Sequence, residues 1–187
     1  DVQLPDNSIA LFDGFRNLVS IDFEGVDTSN VTSMGIMFQG CNNLVDLDVS
    51  GWDTSNVRYM SSMFNMCGSL VELDVSNWNT SNVTNMHVMF GGMTKLKTLD
   101  INGFNTSKVK TIYDMFSYCS SLTTLDLRHF DLSNAQNLSA MFYGMTSLTS
   151  VNLSSFVTSS VTVMGRMFYN CVRLTSIDLS NFNTSNA

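Results

Sequence analysis

The stretch "NWNTSNVTNMHVMFGGM", residues 77–93, recurs with small changes elsewhere in the chain. Residues 51–67 read "GWDTSNVRYMSSMFNMC", and residues 155–171 read "SFVTSSVTVMGRMFYNC". The leucine that precedes each stretch by seven residues returns every 26 residues, without insertion or deletion, at Leu18, Leu44, Leu70, Leu96, Leu122, Leu148 and Leu174. A fixed period of this length predicts a repeat architecture in which successive copies stack and share one core.

Numbering each repeat from this leucine as position 1 divides the whole chain. The division gives an N-terminal partial repeat or cap (1–17), six complete repeats (18–173) and a truncated seventh repeat (174–187). Composition shows no linker, so we predict one repeat domain. Because the last repeat stops inside the pattern and repeat domains need polar terminal caps, we expect the sequence to be a piece of a longer protein.

Composition limits the classes of function. The chain has 187 residues, is 44% apolar, and carries a net charge of −7 with a pI of about 4.5. Such a chain can bury a core, but its charge repels a phosphate backbone, so we expect no nucleic-acid partner. No apolar run approaches the roughly 18 residues of a membrane span. We therefore expect no direct membrane insertion, and the opening residues "DVQLPDNSIA" do not resemble a secretion leader.

Each repeat contains two apolar patterns. Positions 1, 4 and 6 are apolar with polar residues between them, as in "LVELDVS" from Leu70, which is the alternation of a strand. After an inward aromatic at position 9, the box "NTSN" offers residue types that cap helices. Apolar residues then follow in steps of three and four, from Val83 to Met93. The pattern predicts an α/β repeat solenoid with one short parallel strand and one short helix per repeat.

Sulfur-containing side chains follow the repeat closely. Twelve of the 13 methionines occupy positions 17, 20 or 24, and Met66 is the exception. All four cysteines stand at position 24, where other copies have methionine: Cys41, Cys67, Cys119 and Cys171. Exchange between Cys and Met indicates a buried apolar site and no metal motif. Free thiols are favoured, although Cys41 and Cys67 lie in adjacent copies and one disulfide between them stays open.

The pattern resembles the BspA-like leucine-rich repeats of bacterial surface proteins, in particular their 26-residue branch in Gram-positive surface proteins and mycoplasma lipoproteins. The match is carried by "LVELDVSNWNTSNVTNMHVMFGGMTKL", Leu70 to Leu96, and its neighbouring copies, over residues 18–187. The resemblance implies a right-handed leucine-rich-repeat solenoid. It also implies an extracellular, secreted, surface-anchored adhesin whose signal peptide and anchor lie outside this piece.

A row of acidic residues marks one face of the predicted solenoid. Position 5, which points away from the core, carries Asp22, Asp48, Asp74, Asp100, Asp126 and Asp178, with Asn152 in the sixth copy. Three interpretations stay open: carboxylates satisfied by nearby Ser, Asn and backbone N–H groups, a platform for a partner, or Ca²⁺ ligands at Asp48, Asp74, Asp100 and Asp126. Like charges stacked about 4.8 Å apart predict raised pKa values along this row.

Basic residues gather between residues 95 and 110. Four of the nine, Lys95, Lys97, Lys108 and Lys110, lie within 16 residues. They are either solvated surface or a site for anionic glycans, with Tyr113 and its neighbour Tyr118 on the same coil and with Arg128 and His129 on the next.

The sequence favours binding over catalysis. His87 and His129 occupy different register positions, and no nucleophile is placed with either. We therefore expect no enzyme, no cofactor and a monomer that binds host mucin, glycoprotein or extracellular matrix. The alternatives are a structural spacer of a larger surface protein and a Ca²⁺-dependent glycan-binding module.

Overall fold

The computed structural model describes residues 2–187, which form a repeat solenoid. Equivalent residues of successive copies lie beside one another, and backbone bridges connect residues 26 apart along the chain. We call the copies coil 1 (18–43), coil 2 (44–69), coil 3 (70–95), coil 4 (96–121), coil 5 (122–147), coil 6 (148–173) and coil 7 (174–187). The segment before coil 1 packs as the back half of a coil, because Asn7 bridges to Ser33 and Phe12 stacks on Phe38.

Regular strand is limited to short pieces. The strands are Val2–Gln3 (β1), Ser20–Ile21 (β2), Val26–Asp27 (β3), Asp46–Leu47 (β4), Thr124–Asp126 (β5) and Ser150–Asn152 (β6). All pairs are parallel: β1 with β3, β2 with β4, and β5 with β6. Within residues 2–187, the predicted strand at positions 3–5 is regular in coils 1, 2, 5 and 6 only. Elsewhere single bonds hold the same face together, such as Lys97 N–H to the Val71 carbonyl at 3.1 Å.

The core is a set of ladders that run along the solenoid axis. At position 21, phenylalanine rings of adjacent coils stack with centroids 5.2–6.0 Å apart and interplanar angles of 5–11°: Phe12, Phe38, Phe64, Phe90, Phe116, Phe142 and Phe168. Trp52 and Trp78 stack in the same way at position 9. Eleven of the twelve methionines at positions 17, 20 and 24 are buried and Met164 is partly buried, so the predicted core role of this stripe is confirmed.

The predicted helix is wrong. Among the described residues there is no helix, and hence none long and apolar enough to cross a membrane. In its place, successive tight turns alternate with bonds to the next coil. The Ser62 N–H donates to the His87 carbonyl of coil 3 at 2.8 Å, and the Asn65 N–H donates back to the Ser62 carbonyl at 3.2 Å. Backbone groups that a helix would pair internally are therefore used to join coils.

Left-handed backbone at two positions of each coil explains this outcome. Position 19 has φ between 52° and 60° at Ala10, Ile36, Ser62, Val88, Asp114, Ala140 and Arg166. Position 23 has φ between 58° and 72° at Gly14, Gly40, Met66, Gly92, Tyr118, Gly144 and Asn170. A residue with a Cβ pays roughly 1–2 kcal/mol for this conformation, and it cannot continue a right-handed helix. Spacing of apolar residues by three and four thus reflects two turns instead of one helical face.

The "DTSN" and "NTSN" boxes also join coils instead of capping helices. The Thr80 hydroxyl donates to the Asn105 carbonyl at 3.0 Å and accepts from the Asn105 N–H at 2.8 Å. The Asn79 side chain accepts from the Ser81 N–H at 3.1 Å, which closes a local turn. The threonine bridge recurs at Thr28, Thr54, Thr106 and Thr158, and all five threonines are buried. Leu132 occupies this position in coil 5.

Candidate functional site

The Asp row is occupied by bonds within its own chain. The Asp48 carboxylate accepts from the Ser50 N–H at 3.0 Å and from the Ser50 hydroxyl at 2.7 Å, and Asp74 holds Ser76 in the same way. The remaining members accept the N–H of the residue two places further on: Asp22, Asp100, Asp126, Asn152 and Asp178. The carboxylates therefore close local turns, as the first of the three interpretations predicted.

These bonds reverse the expected shift in acidity. The side-chain and backbone bonds from Ser50 lower the pKa of Asp48 below its ordinary value, and Ser76 lowers the pKa of Asp74 likewise. The backbone and side-chain bonds from Ser180 lower the pKa of Asp178. The charge of Asp48 does act to raise the pKa of Asp74, but it is the weakest contribution. Raised pKa values were predicted for this row, and for these three carboxylates that prediction is wrong.

Open clefts lie between coils on the strand face. One of them, about 660 Å³, is bordered by four carboxylates and a tryptophan: Asp22, Glu24, Asp46, Asp48 and Trp52. Trp52 is buried, and its indole N–H has no partner among the described residues, whereas the Trp78 N–H donates to the Val49 carbonyl at 3.0 Å. Nowhere in residues 2–187 do three or more His, Cys, Asp or Glu side chains converge as metal ligands would. The calcium interpretation thus has no supporting geometry at Asp48, Asp74, Asp100 and Asp126.

The four lysines come from two segments that lie half a coil apart along the chain. Lys95 is the last residue of coil 3 and Lys97 the second residue of coil 4. Lys97 borders a second cleft together with Glu72, Asp74 and Asp100. Lys108 and Lys110 come 13 residues after Lys95 and Lys97 respectively, which is half of a 26-residue coil. Lys108 replaces the asparagine of other copies, and its ammonium donates to the Asn82 side-chain oxygen at 2.8 Å.

The other basic and aromatic candidates make contacts within the chain. Arg128 pairs with Asp126 at 2.6 Å, so much of its charge is compensated locally. His129 is half-buried, with its Nε2 at 2.8 Å from the Ile101 carbonyl oxygen. Tyr113 stacks on His87, with centroids 4.8 Å apart. The predicted site for anionic glycans around Lys95, Lys97, Lys108 and Lys110 therefore stays a prediction. Its lysines come from two segments that lie half a coil apart along the chain.

The four cysteines are buried where their thiols are shielded from reaction. All four are free and buried, so Cys41 and Cys67 form no disulfide. Each thiol donates to the carbonyl of a core phenylalanine 29 residues earlier, as Cys119 does to Phe90 at 3.0 Å. Burial raises the pKa of Cys119 to about 12 and also raises that of Cys67. The thiols are therefore protonated near neutral pH and serve packing.

Three tyrosines form a row that the sequence did not bring together, because Tyr118 was noted only as a neighbour of Tyr113. Tyr118 and Tyr169 are exposed and Tyr143 is half-buried. Tyr118, Tyr143 and Tyr169 lie on successive coils at positions 22 and 23 and contact one another ring to ring. We call them the tyrosine ridge. Other copies have Gln39, Asn65, Gly91 or Ser117 at position 22, so departure from the repeat was the available signal.

A family model supports the bacterial origin of the pattern. The model described as "Mycoplasma protein of unknown function, DUF285" matches residues 7–125 and 119–187. The chain belongs to this family. No curated protein sequence matches it.

Two solved structures of leucine-rich repeat proteins align with this chain. A crystal structure of a T. pallidum leucine-rich repeat protein aligns with a TM-score of 0.58 at 20% identity, covering 92% of this chain and 71% of that one. A leucine-rich repeat protein from Bacteroides ovatus aligns at 15% identity with a TM-score of 0.31, and the alignment covers 92% of this chain and 57% of that one. The first likeness shows a leucine-rich-repeat type of solenoid.

Proposed function

We propose that this protein is a non-enzymatic adhesion module, displayed on the outside of a bacterial cell, that binds host mucin, glycan or matrix protein through its solenoid surface. The observation that carries the proposal is the alignment of exposed side chains from successive coils. Each coil presents the same register position beside its neighbour, which produces rows along the axis such as the Asp row and the tyrosine ridge.

Rows of this kind suit an extended ligand. The clefts on the strand face are open and lie between coils, and they are bordered by polar side chains. A polymer that repeats along its own length can contact several coils, and weak contacts then add through avidity. Membership of a mycoplasma family and the resemblance to BspA-like surface repeats support display on a cell surface.

The first experiment measures binding of this chain to plates coated with mucin, with desialylated mucin and with matrix proteins. The control keeps every core residue and permutes the residues at exposed positions among coils. Saturable binding by the parent and loss by the control are expected. Equal binding by both, or none by either, would refute adhesion and favour a spacer role.

A second arm repeats the binding in EDTA. The proposal expects no change, because one oxygen of Asp48 and of Asp74 is engaged with a backbone N–H group and no cluster of metal ligands occurs among the described residues. Binding that disappears in EDTA and returns with Ca²⁺ would establish the calcium-dependent alternative.

A further inference from the structure

The tyrosine ridge is a surface feature that the core does not require. The side chains of Tyr118 and Tyr169 are 53% and 59% exposed. The Tyr118 and Tyr143 ring centroids lie 5.2 Å apart at 61°, and those of Tyr143 and Tyr169 lie 5.0 Å apart at 16°. The three rings therefore form one continuous aromatic surface with an angle in it.

A glycine supports the position of the first ring. A Cβ added at Gly144 would lie 2.8 Å from Cδ1 of Tyr118, closer than such contacts allow, and Gly144 also has a φ of +70°. The Tyr118 ring thus occupies space that only glycine leaves free on the next coil. The ridge is packed in place before any ligand arrives, which reduces the entropy lost on binding.

One cation lies beside the ridge. Arg166 begins the turn that ends at Tyr169, whose N–H donates to the Arg166 carbonyl at 3.1 Å. Interaction with the Tyr118 hydroxyl raises the pKa of Tyr143, while the positive charge of Arg166 acts to lower it. Arg166 therefore shares a turn with the last tyrosine of the ridge.

The C-terminal coils repel an anion less than most of the chain does. Residues 132–187 contain only three charged residues, Arg166, Arg173 and Asp178, with a net charge of +1. Residues 1–131 must then carry −8 of the total charge of −7. An anionic ligand is therefore repelled less by the coils that carry Tyr143, Tyr169 and Arg166 than by most of the solenoid.

We propose that the tyrosine ridge and Arg166 bind an acidic sugar, a ring that carries a carboxylate or sulfate, within a host glycan. This proposal rests on the proposed function and names its ligand class and site. Tyrosine rings combine an apolar body with a polar hydroxyl, which matches the C–H groups and hydroxyls of a sugar. Arginine binds a carboxylate or sulfate through charge-assisted hydrogen bonds.

The test titrates the chain with sialyllactose and, separately, with neutral lactose, and follows tyrosine fluorescence and NMR chemical shifts. Sialyllactose is expected to bind more tightly than lactose and to shift the signals of the ridge tyrosines. The Tyr118→Ser/Tyr143→Ser variant is expected to weaken sialyllactose binding by about tenfold or more. Arg166→Gln is expected to remove the preference for sialyllactose over lactose.

Matched variants separate binding from folding. Tyr59→Ser removes a tyrosine that is 49% exposed in coil 2, away from the ridge, and should leave binding unchanged. Tyr143→Phe keeps the ring and the fold and should retain most of the binding if ring contact carries it.

The outcomes distinguish the two proposals. If the parent and the ridge variants bind mucin equally, and no signal of the ridge tyrosines shifts, the ridge is not the binding site. The adhesion proposal would then still stand. A parent that binds neither mucin nor sialyllactose would overturn both. Dimerisation of the parent that the ridge variants abolish, without sugar binding, would make the ridge a contact between copies.

Discussion

Ala140→Gly is a sensitive probe of the turns that replace the predicted helix. Ala140 has a φ of 52°, in the left-handed region. Replacement by glycine should remove roughly 1–2 kcal/mol of strain while the freer unfolded chain gives back about 0.4–1 kcal/mol. The variant should therefore be more stable by about 0.5–1 kcal/mol, or roughly 1–4 °C in Tm for a chain of this size. In a helix the same change would destabilise by about 0.5–1 kcal/mol.

Urea denaturation followed by circular dichroism shows directly whether Ala140→Gly stabilises or destabilises the protein, through the shift in the urea midpoint. Ala135→Gly is the control, because Ala135 lies in the same coil, is buried, and is not among the residues with positive φ. It should lower the midpoint through the added backbone freedom and the lost methyl contact. A lower midpoint for Ala140→Gly, similar to that of Ala135→Gly, would refute the left-handed turn at this position.

Three further predictions concern the threonine bridges between coils, the buried thiol of Cys119 and the stability at low pH. Thr80→Val should lower the free energy of unfolding by about 1–3 kcal/mol, because two hydrogen bonds to the next coil are lost. Thr84→Val removes one exposed bond of 3.3 Å and should lower it much less. Equal urea midpoints for the two variants would contradict the threonine bridge. Cys119 should react with a thiol reagent at pH 8 only after unfolding, and rapid labelling of the native protein would contradict this. Because burial raises its pKa to about 12, the thiol's contribution to stability is complete at lower pH and is lost progressively above pH 9. Because the folded pKa values of Asp48 and Asp74 are lowered, their stabilising contribution is present above the ordinary pKa near 4 and is lost as pH falls below it. The double Asn variant should therefore show a flatter dependence of Tm on pH between 5 and 2, and an unchanged profile would remove these carboxylates from the acid response.

The sequence predicted the repeat architecture and the identity of the core correctly. Equal spacing of Leu, Met and Phe determined which side chains are buried, since a stacked coil must place equivalent residues together. The exchange of Cys for Met at position 24 correctly indicated a packing site, as Cys119 shows. Burial depends on apolar periodicity, which a sequence displays directly.

Backbone conformation was less accessible. Steps of three and four suit a helix face, but they also suit two successive turns whose N–H groups bond to the next coil. Residues such as Ile36 and Val88 adopt positive φ although their types disfavour it, because neighbouring coils impose the conformation. Tertiary context of this kind has no local signature.

The candidate site was the least predictable feature. The Asp row was conspicuous as a pattern, yet Asp48 and Asp74 each use one carboxylate oxygen to bind the serine two residues away. The tyrosine ridge required knowing that Tyr118 at position 23 and Tyr143 at position 22 meet across coils. A repeat alignment separates these two columns, whereas the fold brings them together.

The threonine bridges have a consequence for how the protein can change length. Because coils 1 to 4 present the same hydroxyl to the same backbone groups of the next coil, a whole coil can be duplicated or deleted there without altering the bonds at either junction. Each such event would change the reach of the molecule by about 4.8 Å. The junction after coil 5 is different, since Leu132 faces a coil that has Val157 where others have Asp or Asn. Unequal recombination should therefore be tolerated among coils 1 to 4 and selected against at the junction between coils 5 and 6. Related genes would then vary in the number of coils on the N-terminal side of that junction.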